Sequence, residues 1–306
     1  MNTAAKLTRT IVLAVALTLF GSTPCLAQMA APAASKDAGV EAAKAGDAAY
    51  NAADYASAAK HYTTACIGRN AAACFNLGKM YAAGEGVDPD KMLAAAHYDM
   101  ACNGGNQTAC FFLGETFREG KGIVQDKAKA AAGYAKACTL GHAFSCAILG
   151  VMNENGEGIA QDKPKAAVAY DKACAGGNGS SCVALGDMFR RGEGVAQNMA
   201  QAAVRYDKGC TNGYPDGCMN LGTMYVQGIG VAQNKAKAVT LFTEACDSGT
   251  ANGCLGAGIL YAKGDGVGQS FDFAITLFNK ALAIDPNNAD ARKYLALATE
   301  LRAGKK

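Results

Sequence analysis

The 306-residue chain has no tryptophan, only three histidines, and rings at just 8% of positions. So few large side chains suit thin, close-packed layers better than one thick globular core. Charge is also nearly absent as a signal: 29 basic residues stand against 26 acidic ones, and two of the basic ones, Lys6 and Arg9, lie in the first ten residues. Such a balance gives no electrostatic basis for nucleic acid or an anionic membrane as the main partner. No alternating strand pattern occurs. The apolar stretch Ile11 to Phe20 is well short of a membrane span and no other apolar run approaches that length, so no transmembrane segment is expected. Half the residues are nonetheless hydrophobic, which excludes a disordered chain.

Thirteen cysteines and 37 glycines are what the sequence does have. Residues 1–27 read as a secretory signal, with Lys6 and Arg9 as the basic start, Ile11 to Phe20 as the apolar part and cleavage after Ala27. Removal of that leader takes Cys25 with it and leaves an even twelve. An exported location, periplasmic or secreted, follows, with a thiol oxidase as a partner during folding. Residues 28–37 read as a flexible spacer.

The twelve cysteines form two series, Cys66 to Cys246 and Cys74 to Cys254, each with a period of 36. A fixed period of this size marks a repeat array. Six copies fill residues 74–289, a capping helix pair precedes them at 38–73, and a closing helix with a tail follows at 290–306. Within each copy the column Gly78, Gly114, Gly150, Gly186, Gly222 and Gly258 never varies. Glycine inside a helix costs up to about 1 kcal/mol relative to alanine, so a neighbour must press too close for a side chain. A second glycine pair, beginning with Gly84 and Gly86, closes the first helix. The column Asp90, Asp126, Asp162, Asn198, Asn234 and Ser270 holds only residues able to cap the next helix. That second helix carries small residues at Ala94 and its copies, then rings at Tyr98, Tyr134, Tyr170, Tyr206, Phe242 and Phe278.

An antiparallel pair brings the start of its first helix and the end of its second to the same end, so all cysteines share one edge. Pairing within a unit would orphan Cys66 and Cys254. Pairing across each turn uses all twelve: Cys66-Cys74, Cys102-Cys110, Cys138-Cys146, Cys174-Cys182, Cys210-Cys218 and Cys246-Cys254. Zinc is not expected, because no C-x2-C knuckle is present, and six equivalent pairs at long spacing do not fit redox catalysis.

The unit Cys110-Phe-Phe-Leu-Gly-Glu-Thr-Phe-Arg-Glu-Gly-Lys-Gly-Ile, followed by Asp126-Lys-Ala-Lys-Ala-Ala-Ala-Gly-Tyr-Ala-Lys-Ala-Cys138, resembles the Sel-1-like repeat, and its C-x7-C pairs resemble the cysteine-rich, exported bacterial branch of that family. The tail Ala281-Leu-Ala-Ile-Asp-Pro-Asn-Asn-Ala resembles the tetratricopeptide repeat. The resemblance implies an all-α, right-handed α/α solenoid of Sel-1-like, TPR-like helix pairs with regularly spaced disulfides. It also implies a scaffold that binds a protein or peptide through a concave face lined by the first helices. The candidates on that face are Phe75, Lys79, Phe111, Glu115, Arg118, Glu154, Val183, Asp187, Arg190, Arg191, Met219 and Gln227. A mix of apolar and charged groups suits an extended peptide or a partner helix.

The same branch has been linked to penicillin binding and β-lactam hydrolysis, which is the alternative function. Ser57-Ala-Ala-Lys60 spells the S-x-x-K of a serine β-lactamase, making Ser57 and Lys60 weak catalytic candidates. No Ser-Asp-Asn or Lys-Thr-Gly segment completes the site. His61, His97 and His142 lack the H-x-x-x-H spacing of a metal hydrolase and read as half-exposed helix residues. The glycine loops lack the lysine of a phosphate loop. No metal or cofactor is expected.

Overall fold

The computed structural model describes residues 36–304; the leader and most of the spacer lie outside them. Fifteen α-helices follow in that span: α1 Lys36–Asn51, α2 Tyr55–Ile67, α3 Ala71–Ala83, α4 Lys91–Asn103, α5 Gln107–Glu119, α6 Lys127–Thr139, α7 Ala143–Asn155, α8 Lys163–Ala175, α9 Gly179–Arg191, α10 Met199–Thr211, α11 Pro215–Gln227, α12 Lys235–Asp247, α13 Ala251–Lys263, α14 Phe271–Ile284 and α15 Ala289–Gly304. Each helix packs on the next, giving an all-α solenoid of helix pairs. Helix α1 begins at Lys36, inside the segment read as spacer, and each first helix begins three residues before its cysteine.

The constant glycine column is explained by the rings opposite it. A Cβ on Gly78 would stand 2.7 Å from two ring carbons of Tyr98, and the same collision recurs between Gly114 and Tyr134, Gly150 and Tyr170, and Gly186 and Tyr206. The ring from the second helix therefore lies flat on the first helix, and each pair locks through one aromatic residue. Tyr134, Tyr206 and Phe278 are completely buried by this packing. Burial of a ring of this size removes about 150–250 Å² from water, roughly 4–6 kcal/mol at 25 cal/mol/Å².

The loop glycines serve two different contacts. Gly84 adopts φ +78° and ends α3 in the left-handed conformation. Gly86, at φ +70°, lies against the start of α2, where a Cβ would meet the carbonyl carbon of Tyr55 at 2.3 Å. The second glycine thus lets each loop touch the preceding unit. The predicted cap column does its work: Asp90 accepts from the amides of Met92 and Leu93, Asp126 from Lys129, Asp162 from Lys165, Asn198 from Gln201, Asn234 from Lys237 and Ser270 from Phe273. A second cap column, absent from the sequence reading, starts the first helices. Asn70, Asn106 and Asn178 accept from the amides of Ala73, Ala109 and Ser181.

Six disulfides clip each second helix to the first helix of the next unit, joining Cys66 to Cys74, Cys102 to Cys110, Cys138 to Cys146, Cys174 to Cys182, Cys210 to Cys218 and Cys246 to Cys254. They run along one edge of the stack. The first two bridges share an apolar cluster with Ala101, Ala109 and Ala137, so sulfur and alanine form a thin, dense seam.

Candidate functional site

The first helices present one wall of the array. On α3, α5 and α7 that wall carries a connected run of rings. Phe75 lies 5.6 Å from Phe112, Phe112 5.4 Å from Phe111, and Phe111 5.8 Å from Phe144. Tyr98 and Tyr134 support the run from the second helices, at 5.8 Å from Phe75 and 6.2 Å from Phe111. Phe112 is 37% and Phe144 55% exposed, whereas Phe75 and Phe111 are half-buried. The Lys79 ammonium stands 5.8 Å from the Phe75 ring centre. Beside the rings a groove of about 340 Å³ runs between Ala82, Phe112, Glu119 and Lys121. An exposed aromatic pair on rigid helices, bordered by charges, can take an apolar side chain of a partner.

The charged candidates have partners within the wall. Tyr170 donates to Glu154 at 2.6 Å and Tyr206 to Asp187 at 2.8 Å, while Tyr134 donates to Glu115. Arg118 pairs with Glu115, and Arg190 pairs with Asp187 at 3.0 Å two units on. The buried phenols thus find acceptors at the wall's surface. Burial opposes ionisation of Glu115, but hydrogen bonds from Arg118 and Tyr134 outweigh it and hold the carboxyl below its ordinary value. Burial first, then the bond to Asp187, pushes the Tyr206 phenol up to about 12.

Other candidates take different places. Val183 is 7% exposed and packs in the core with Ala202 and Tyr206, so it is not part of the wall's surface. Met219 is half-buried against two core clusters. Arg191 and Gln227 are exposed, and Arg190 and Gln227 line a second groove of about 620 Å³ with Asn220 and Thr223. Phe112 and Phe144, the two most exposed rings of the run, were not among the candidates.

Ser57 is the third residue of α2 and belongs to its cap. Its amide donates to Asp54 at 3.1 Å, and its interaction with that carboxylate helps hold it below its ordinary value. Ser57 thus sits in the first turn capped by Asp54, and Lys60 is exposed. His142 is not a helix residue but the cap of α7, its Nδ1 accepting from the Ser145 amide at 3.3 Å. His97 stacks on Tyr81 at 5.3 Å. Cys210, Cys218 and Glu244 bring ligand-type atoms within 4.8 Å of one another, but the two sulfurs are bonded together and offer no thiolate. Among the described residues no helix is long and apolar enough to cross a membrane.

The Sel1 repeat model matches residues 71–106, 107–142, 143–178, 179–213, 215–250 and 251–285. The chain belongs to the Sel1 repeat family, as a cysteine-rich member. Among solved structures it is similar to c5321, a protective antigen present in uropathogenic Escherichia coli strains, with a TM-score of 0.70 and 29% identity over 81% of this chain. This chain spans 53% of that antigen's length. A Sel1 repeat protein from Oxalobacter formigenes shares the fold, with a TM-score of 0.55, 24% identity, and 78% of this chain and 96% of that one covered. Cysteine rich protein B of Helicobacter pylori is 32% identical over 44% of this chain and 96% of its own, with a TM-score of 0.35. No curated protein matches the chain. A disulfide-containing scaffold for contacts between proteins is what fold and family define.

Proposed function

We propose that this is an exported scaffold whose first-helix wall captures a protein or peptide, with the aromatic run of α3, α5 and α7 as the anchor. The observation that carries this reading is the pair Phe112 and Phe144, exposed on a wall whose other rings are packed beneath them. Export is supported by the six cross-strapped cysteine pairs, which persist in oxidising compartments. The description of the similar Escherichia coli protein as a protective antigen also suits an exported chain. The β-lactam alternative draws no support from the capped serine at position 57 or from the comparisons.

The test is capture from a cell-envelope fraction by immobilised protein, followed by identification of the retained species. Truncating a central aromatic anchor costs about 2 kcal/mol or more, so Phe112→Ser with Phe144→Ser should lower affinity by at least about thirtyfold. Arg190→Glu with Arg191→Glu tests the charged half of the wall and should also weaken capture. Retention of the same species in the same amounts by both variants would refute the proposal.

A further inference from the structure

The grooves between consecutive second helices are closed differently in different repeats. Between α8 and α10, Arg205 lies across the groove and reaches Asp171 at 2.9 Å, its side chain only 19% exposed. Two repeats earlier, the same register holds Gly133 in place of Arg205 and Asp99 in place of Asp171. Val168 and Val204 are likewise reduced to Ala96 and Ala132, while Leu185 and Phe189 stay as Leu113 and Phe117. The acceptor and the apolar wall are retained but the arginine is missing. The outcome is a cavity of about 690 Å³ between α4 and α6, lined by Asp99, Gly133, Ala96, Ala132, Leu113 and Phe117.

The missing side chain has a local cause. Helix α6 lies so tightly on α5 that a Cβ at Gly133 would come within 2.9 Å of the Gly114 amide nitrogen. This repeat offers no arginine of its own, and adding one at 133 would require α6 to move away from α5. Two cations, Lys129 and Lys136, also line the cavity, and each has a partner other than Asp99: Lys129 lies 3.4 Å from Asp126 and over the Phe117 ring, and Lys136 donates to Asn103. Asp99 is exposed, and one of its oxygens accepts from Asn103 at 3.0 Å, which leaves a carboxylate with capacity for further donors.

We propose that the cavity between α4 and α6 binds an arginine side chain of a partner polypeptide, its guanidinium on Asp99 and its methylenes against Ala96, Ala132 and Leu113, as Arg205 does internally on Asp171. The cavity is larger than one arginine side chain, so an apolar residue beside the arginine fills the remainder. The cavity opens between the second helices α4 and α6, with Leu113 and Phe117 of α5 contributing to its lining, and it contains none of the exposed rings Phe112 and Phe144.

The probe is a fluorescein-labelled hexapeptide with one arginine between leucines, titrated against the full chain by fluorescence anisotropy. A second peptide carries citrulline, which keeps the shape and removes the charge. Saturable binding of the arginine peptide is expected. Loss of a charge-assisted pair predicts about tenfold weaker binding of the citrulline peptide, and the same for Asp99→Asn. Ala132→Phe, which fills the cavity, should abolish binding. Asp99 is an exposed residue, so Asp99→Asn keeps the test valid even if the phenylalanine variant fails to fold. Absence of saturable binding, equal affinity for the two peptides, or unchanged affinity of Asp99→Asn would each overturn the proposal.

Discussion

Replacing Gly150 with alanine sets helix propensity directly against packing. Helix propensity alone predicts a gain of up to about 1 kcal/mol, because alanine is the better helix former. The packing predicts the reverse. The new Cβ would lie 2.5 Å from both Cδ1 and Cε1 of Tyr170, where carbon atoms rest at about 3.5–4.0 Å. Either α7 and α8 separate or the Tyr170 ring tilts away, and a tilted ring loses its bond to Glu154. Overpacking of this kind costs about 1–3 kcal/mol, and the hydrogen bond to a charged acceptor adds about 1.5 kcal/mol. After the propensity gain, a net loss of about 1.5–3.5 kcal/mol is expected. Urea titration followed by far-UV circular dichroism measures it as a lowered midpoint. Gly268→Ala, in the loop before α14 where a Cβ meets nothing within 4 Å, controls for the added methyl away from any packed neighbour and should move the midpoint little. Adding Tyr170→Leu to Gly150→Ala should cost less than the two changes summed, because the collision disappears. A Gly150→Ala protein as stable as the parent would refute this account of the glycine column.

Three further outcomes follow from the same geometry. Replacing Cys138 and Cys146 together by alanine opens a loop of sequence separation 8 and should cost about 2–3 kcal/mol in the same titration; no change would mean that the bridge constrains nothing. Thr250 starts α13 without a side-chain cap bond, so Thr250→Asn, which copies Asn70 and Asn178, should raise the urea midpoint by about 0.5–1 kcal/mol equivalent; a lowered midpoint would count against the cap column. Burial holds the His97 and His142 imidazoles below their ordinary value of 6.5. The unfolded chain therefore takes up protons first, so stability should be complete above about pH 6.5 and decline as pH falls from there toward the depressed folded values. His97→Asn should flatten part of that decline, and an identical slope would contradict the burial argument.

What the sequence made legible follows from the repetition. A column shows its role when the same kind of residue stands there in six copies, as with the constant glycine at 78 and 114, the caps at Asp90 and Asn198, and the cysteines. Periodicity located the helix pairs for that reason. It could not show Phe112 and Phe144, because their columns otherwise read Asn76, Ile148 and Ala184, or Ala72, Thr108 and Ser180. A site unique to one copy vanishes when copies are aligned. Its signal is departure from the column, which also exposes Gly133. The first-helix caps had a usable signal in Asn70, Asn106 and Asn178, masked by Tyr214 and Thr250 later in the column. Val183 was misplaced for a different reason. A column can sit at the edge of a helix face, where Phe75 remains half-buried but the smaller valine is covered by Ala202 and Tyr206.

Photo-crosslinking reports which face of the array meets a partner. A benzophenone side chain placed at position 144, on the first-helix wall, and separately at position 172, on an exposed second-helix surface, would be irradiated in the cell envelope and the adducts resolved by mass. The account predicts a discrete adduct from position 144 and none of that mass from position 172. The same adduct from both, or from position 172 alone, would contradict it.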